Sequence, residues 1–560
     1  MNHSKLKSCP AKGSLFAVAM WFGVSLAAFA DDVPQGVDRP LVTWGVASLE
    51  RVQNAVQQVL VAAERPELSS VMNDVLARVG DLKGWDRTRP FGAMVMLNPG
   101  IAPEPVVVGF APIDNWETVL ANASTGIIQV RTSKEHADRY DIILPKGGQL
   151  LLRVVGKYAF FSKKPESLNR EFGDPGHWLN ESSSKYDFWS TLHFDHVPEG
   201  LRTVVIDYLR AGAQEKDEKN PGESEADYQL RRSATESTLD GFELLTTHGK
   251  TLTGGWRITA DQPRIIGEIV LTPLSDSPLA SSITSLGSHA DRFAVLDAEG
   301  TPLHISTSLV LGERIAEMLE DIIDISYEKA LKEIPADQRA GHPIASIYKM
   351  LKSTVAARHI NQVFRIGGEG PGRMMIVGAM HFSEQSDLDT VLAGVHQAIL
   401  SDKNIGEVQV NAESHHGIDI HRLKPAKSHA RIERFYGKEA SLYAARIGSD
   451  LWFSFGGTSA LDQLKSSIDL AMPESRAADS NDSRTLFLAS VNVASWLPMI
   501  PENRPEVTQL IQRAFAKGGD TIELRLERAT EGLQLRLTME EGFIRFIGLS
   551  IAQTLDKQRK

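Results

Sequence analysis

Apolar positions along the chain recur with two periods. Val52, Val56, Val59, Leu60 and Ala63 fall three and four residues apart, as do Ile315, Met318, Leu319 and Ile322, and again Leu388, Val391, Leu392, Val395 and Ile399. That spacing lines each set along one stripe of a helix, and the stripe needs a core to face. Elsewhere two apolar runs flank a Gly/Pro turn, as in AMVMLNPGIAPEPVVVGF from Ala93 and QVFRIGGEGPGRMMIVGA from Gln362, or strands alternate around a turn, as in RITADQPRIIGEIVL from Arg257 and RLERATEGLQLRLTM from Arg525. These predict antiparallel hairpins. Few helical stretches sit where a crossover between parallel strands would need one. The expected fold class is therefore α+β, mainly antiparallel sheet with helices packed on it.

The pattern is also written twice. GFAPIDNWETVLANA from Gly109 and GAMHFSEQSDLDTVLAGV from Gly378 share a strand ending in Val-Gly and a helix carrying Thr-Val-Leu-Ala. Around them, RPLVTWGVASLERVQNAVQQVL from Arg39 parallels TPLHISTSLVLGERIAEMLEDII from Thr301, and RVVGKYAFFSKKPESL from Arg153 parallels ARIGSDLWFSFGGTSAL from Ala445. Matching blocks in one order, about 270 residues apart, point to two tandem copies of one α+β unit, over residues 38–286 and 291–555. The repeated helix predicts that Leu120 and Leu392 press onto their sheets. Residues 214–238, dense in charge and punctuated by Gly and Pro, have only a short counterpart at 516–520 and are expected to form a mobile loop, with at most a short solvated helix.

The first thirty residues stand apart. Lys5, Lys7 and Lys12 precede an apolar run, LFAVAMWFGVSLAAF, and Ala28-Phe29-Ala30 offers the small residues of a cleavage site, so residues 1–30 read as a signal peptide and the mature chain as starting at Asp31. The only cysteine, Cys9, lies inside that leader, which leaves a mature chain without cysteine that must rely on core burial, as suits a bacterial periplasm or the extracellular medium. Beyond Ala30 no apolar run approaches the length of a membrane span.

Charge narrows the partners. The chain carries a net charge of −11, and loss of the three leader lysines takes it to −14. Such a surface repels nucleic acid phosphates and anionic lipid headgroups.

Candidate chemistry is sparse. ESHHGIDIH supplies Glu413, His415, His416, Asp419 and His421, imidazoles and carboxylates of the kind that hold zinc or copper; in a strand-turn-strand element, alternation would set Asp419 and His421 on one face. His415, His416, Asp419 and His421 are the candidate metal ligands. In HFDH, His193 and Asp195 would share a strand face, with no third ligand evident. Ser-x-x-Lys occurs at Ser182, Ser326 and Ser346 without the companion elements of serine acylases, and the glycines at 367, 368, 370 and 372 sit between strands with no helix to complete a phosphate cradle. No cofactor is called for. The expectation is an exported binding or structural component of the cell envelope, more simply non-enzymatic than enzymatic, with an apolar or carbohydrate ligand in a groove between the two copies. The alternatives are an envelope hydrolase with scattered site residues and a metal-binding protein centred on residues 413–421.

Overall fold

The computed structural model describes residues 39–559 outside 79, 99–102, 124–128, 134–137, 144–148, 216, 288–291, 294–295, 297–299, 335, 337–338, 340–343, 369, 384–405, 426–429, 473–483 and 500–504. The leader and the stripe from Leu388 to Ile399, with Leu392, lie outside the described residues. No described helix is long and apolar enough to cross a membrane. The chain is α+β with antiparallel sheet, and it divides into two compact units, one comprising the residues up to Asn54 and Ser70–Leu201, the other Ala55–Ser69 and Arg202–Lys560.

In the first unit the strands are β1 (Val42–Val46), β2 (Phe91–Asn98), β3 (Glu104–Pro112), β4 (Gln129–Thr132), β5 (Arg139–Ile143), β6 (Gln149–Val155), β7 (Tyr158–Ser162) and β8 (Phe188–His193). Their hydrogen-bonded order is β4-β5-β6-β7-β3-β2-β1-β8, antiparallel throughout. One face packs the core: Met94, Met96, Val106, Val108, Phe110, Tyr158 and Phe160 lie under Leu168, Leu179 and Tyr186. Helix α1 (Leu49–Ala62) starts in this unit and passes into the second, where it buries Val59 and Leu60; α2 (Trp116–Ala123) buries Val119 while leaving Leu120 half-buried.

In the second unit the strands are β9 (Gly249–Ile258), β10 (Ile265–Pro273), β11 (Leu303–Val310), β12 (His359–Gly367), β13 (Met375–His381), β14 (Glu407–His415), β15 (Ile418–Lys424), β16 (Ser441–Ile447), β17 (Asp450–Gly456), β18 (Thr485–Asn492), β19 (Thr521–Ala529) and β20 (Gly532–Met539). They run β14-β15-β16-β17-β13-β12-β11-β18-β19-β20-β10-β9, again antiparallel. From β14 to β18 this order repeats that of β4 to β8. The compact units part at Leu201/Arg202, away from the 286–291 junction expected from the sequence, because β10 pairs along β20 and the hairpin β9–β10 extends the second sheet.

The shared Val-Gly and Phe-Ser dipeptides have one physical cause. Gly109 on β3 faces Phe161 on β7, and Gly378 on β13 faces Phe453 on β17. A Cβ on Gly109 would lie 2.0 Å from the Phe161 ring, and one on Gly378 would lie 2.5 Å from the ring of Phe453. Each glycine gives up its side chain so that an aromatic ring can lie across the neighbouring strand.

Two expectations need correction. Residues 214–238 are not one long loop: after α3 (Glu199–Gln214) the connection ends at Ser224, and α4, a 24-residue helix, runs over Glu225–His248. Ser224 caps it by accepting from the Asp227 amide at 3.1 Å; the charges pair mostly within the segment, Arg231 with Glu223 at 3.0 Å and Arg232 with Glu236 at 3.1 Å, while Asp227 meets Lys329 of α5 (Glu313–Glu333) at 2.5 Å and Asp240, just beyond the run, meets Arg314. A second difference concerns the stripe on α5. Ile315 is exposed, while Ala316, Leu319 and Ile323 pack with α6 (Ile344–Ala356) through Val355.

Candidate functional site

Among the described residues, two groups of histidine and aspartate bring ligand-type atoms within 4.8 Å of one another. Neither is the set read from the sequence. The hairpin β14–β15 closes on a two-residue turn, His416-Gly417, with both residues at positive φ (50° and 76°). This turn matches the right-handed twist of the strands, and histidine enters the left-handed region more readily than most side chains. Consecutive strand residues point to opposite faces, but the left-handed turn swings His416 back beside His415. Their rings lie 4.4 Å apart at 61°, and both Nε2 atoms approach one carboxylate oxygen, Oδ1 of Asp469, at 2.6 Å and 2.9 Å.

Asp469 comes from α7 (Ala460–Ala471), which buries Ala460, Leu464, Ser467 and Ile468 against Ile420, Tyr443 and Trp452. Lys465, one turn before Asp469, pairs with Glu413, which shares a strand face with His415. The Asp469 carboxyl is held below its ordinary range, first by the hydrogen bond from His415, with desolvation opposing and His416 adding a smaller share. Asp419 and His421 do share a face, as alternation requires, but it is the face opposite His415. Asp419 is exposed, and His421 Nδ1 accepts from the amide of Asn411, where a bulge with φ of 52° interrupts the strand. Both therefore leave the candidate ligand set, and Asp469 joins His415 and His416 in it.

The second group is His193, Asp195 and His196. His193 closes β8, but Asp195 does not continue the strand; a single 3₁₀ turn, Phe194–His196, folds His196 back onto His193. The two rings stack 4.6 Å apart at 4°. His196 Nδ1 donates to the Pro40 carbonyl at 2.8 Å, and His193 Nε2 lies 3.0 Å from the Thr43 hydroxyl. Burial pushes His193 down to about 4, with His196 contributing in the same direction and Asp195 opposing. Parallel rings send their in-plane lone pairs in parallel directions, so these imidazoles do not meet at one ion.

A different kind of surface lies on the sheet of the second unit. Cross-strand register sets Gly254, Ile269, Leu535, Leu526 and Phe487 in one row and Trp256, Gly267, Leu537, Leu524 and Ala489 in the next, all on one face. None of these is buried, and Trp256 and Ile269 are 43% and 44% exposed. The opposite face is charged and paired: Arg536 meets the buried Glu268 at 2.9 Å, and Arg525 lies 3.1 Å from Glu523 and 3.5 Å from Glu527. One face of this sheet is thus aliphatic, half-buried along most of its rows and exposed at Trp256 and Ile269, while the other carries ion pairs around the buried Glu268.

No family model, curated protein or solved structure matches this chain.

Proposed function

We propose that this chain is an exported, non-enzymatic binding component of the cell envelope, built from two tandem copies of one α+β unit, and that it carries an aliphatic ligand such as a lipid acyl chain on the apolar sheet face of its second unit. The observation that carries the reading is the sheet β18-β19-β20-β10-β9, one face of which presents contiguous rows of Leu, Ile, Phe and Trp, none of them buried, while the other carries paired charges. A contiguous apolar surface of this kind marks a site of ligand or partner contact. A carbohydrate is a poorer occupant, because the rows offer almost no hydrogen-bonding side chains. A net charge of −11 disfavours adsorption to an anionic bilayer, which leaves a single apolar molecule as the better match.

The duplication is supported by the repeated strand order and by the paired glycine-phenylalanine contacts at Gly109/Phe161 and Gly378/Phe453. Export rests on the leader sequence alone. Amino-terminal sequencing of the mature protein should find Asp31, and LFAVAMWF residues on the mature chain would exclude cleavage there.

For the ligand, the delipidated protein is titrated with a fluorescent fatty acid. Saturable binding is expected, and the double variant Leu524→Asp/Leu535→Asp should weaken it at least about 10-fold while circular dichroism stays native. Unchanged binding by the double variant would refute the site, as would a dimer that the double variant dissolves, since a second copy would then be the occupant.

A further inference from the structure

We infer that His415, His416 and Asp469 form a binding site for one divalent late transition metal ion, with zinc as the reference case. The inference is independent of the apolar ligand proposed above. Three ligand atoms already converge: both Nε2 atoms sit on Asp469 Oδ1 at 2.6 Å and 2.9 Å. Zinc bonds imidazole nitrogen at roughly 2.0–2.1 Å and carboxylate oxygen at roughly 2.0–2.2 Å, so tetrahedral ligand atoms stand about 3.3 Å apart. Rotation of the exposed Asp469 and His416 side chains, by roughly 0.4–0.7 Å at the ligand atoms, opens that space. As the ion enters, each neutral ring takes the tautomer with its proton on Nδ1, which frees Nε2 for the metal.

The scaffold favours this use. His415 is fixed by the β14–β15 ladder and His416 by a left-handed turn that only a small set of residues adopts readily. Asp469 stands in the last turn of α7, where unpaired carbonyls favour a cation, and the helix is anchored by Leu464 and Ile468, both fully buried. The ring planes cross at 61° and aim at one point, unlike the stacked pair at His193 and His196. Glu413, the nearest further carboxylate on this face, is already committed to Lys465, so solvent completes the coordination. Two imidazoles and one carboxylate suit zinc, copper or nickel and not calcium or magnesium, which need more oxygen ligands.

The test uses the untagged mature chain and isothermal titration with zinc chloride, repeated with cobalt(II) for its visible absorption. One ion per chain is expected, with cobalt bands of a four-coordinate N/O site. His415→Ala, His416→Ala and Asp469→Asn should each weaken binding at least about 10-fold. Asp419→Ala and His196→Ala should leave it unchanged. All five positions are tested for native circular dichroism, and their surface or loop placement makes folding a separable readout. Absence of saturable binding would overturn the site, as would undiminished binding in His416→Ala and Asp469→Asn or equal loss in Asp419→Ala.

Discussion

The two imidazole clusters of this chain use the same residue types to opposite ends. His193, Asp195 and His196 are neighbours in sequence, and a 3₁₀ turn stacks the rings face to face, with one imidazole desolvated and each bonded to the strand-entry segment at Pro40 and Thr43. His415, His416 and Asp469 span 54 residues between their most distant members, yet a turn and a helix aim them at a common point. Proximity along the chain is thus a poor guide to convergence. What decides it is the backbone conformation at one residue: right-handed at the 3₁₀ turn, left-handed at His416.

The comparison is broken most strongly by emptying the core of the unit that carries each cluster. Leu464 is fully buried beneath α7, and Phe160 is 1% exposed in the core of the first unit. Leu464→Ala should cost about 2–5 kcal/mol and Phe160→Ala about 3–5 kcal/mol, each through the transfer term plus a cavity. Denaturant titration of each variant checks this, and a change below about 1 kcal/mol at either site would mean that the packing around it is loose. Leu464→Ala should also disturb the His415 and His416 resonances, since α7 carries Asp469, while leaving those of His193 and His196 in place.

Acid separates the clusters next. His193 titrates near 4 in the folded chain against about 6.5 when exposed. The folded state therefore prefers the neutral ring: its contribution is fully present above pH 6.5 and is lost as pH falls from 6.5 to 4, because the unfolded chain takes up a proton that the folded chain refuses. The loss should approach about 3 kcal/mol, from the shift converted at about 1.4 kcal/mol per unit. Asp469 is shifted in the same direction from a lower starting point, so its share is kept until the pH falls below about 4. Unfolding curves at pH 7 and pH 4.5 for the parent chain and for His193→Gln should differ by a smaller pH effect in the variant. An equal pH effect in both would place the titration elsewhere.

Much of the fold was legible because it depends on local periods. The hairpins β2–β3, β12–β13, β9–β10 and β19–β20 stand where paired apolar runs flank turns, and Val59, Leu60 and Ala63 are buried as their stripe requires. The pairing of β10 with β20 joins residues about 270 apart and leaves no local signature. The charged run 214–238 misled because the same composition serves a solvated loop or a helix whose charges pair with one another and with a second helix, as Arg231 does with Glu223 and Asp227 with Lys329. In the candidate metal site, alternation correctly set Asp419 and His421 on one face but could not say that the turn would bring His416 to the other. The His-Gly pair at 416–417 was the available signal, since a two-residue hairpin loop of this type needs left-handed backbone at both positions. Asp469 had no signal of its own.

The smallest expected effect isolates that turn. His416 has φ of 50°, a region open to asparagine at little cost and strained for a β-branched side chain. His416→Asn should then change stability by less than about 0.5 kcal/mol, whereas His416→Val should cost about 1–2 kcal/mol, although both remove the imidazole. The pair of variants separates the two roles of the residue, because each loses the hydrogen bond to Asp469 while only one strains the hairpin. If asparagine and valine prove equally costly, the imidazole contact with Asp469 holds the tip in place and the turn follows it. If asparagine is neutral and valine is not, the backbone places the ring, and the convergence at Asp469 is a property of the hairpin that persists whether or not the cluster is occupied.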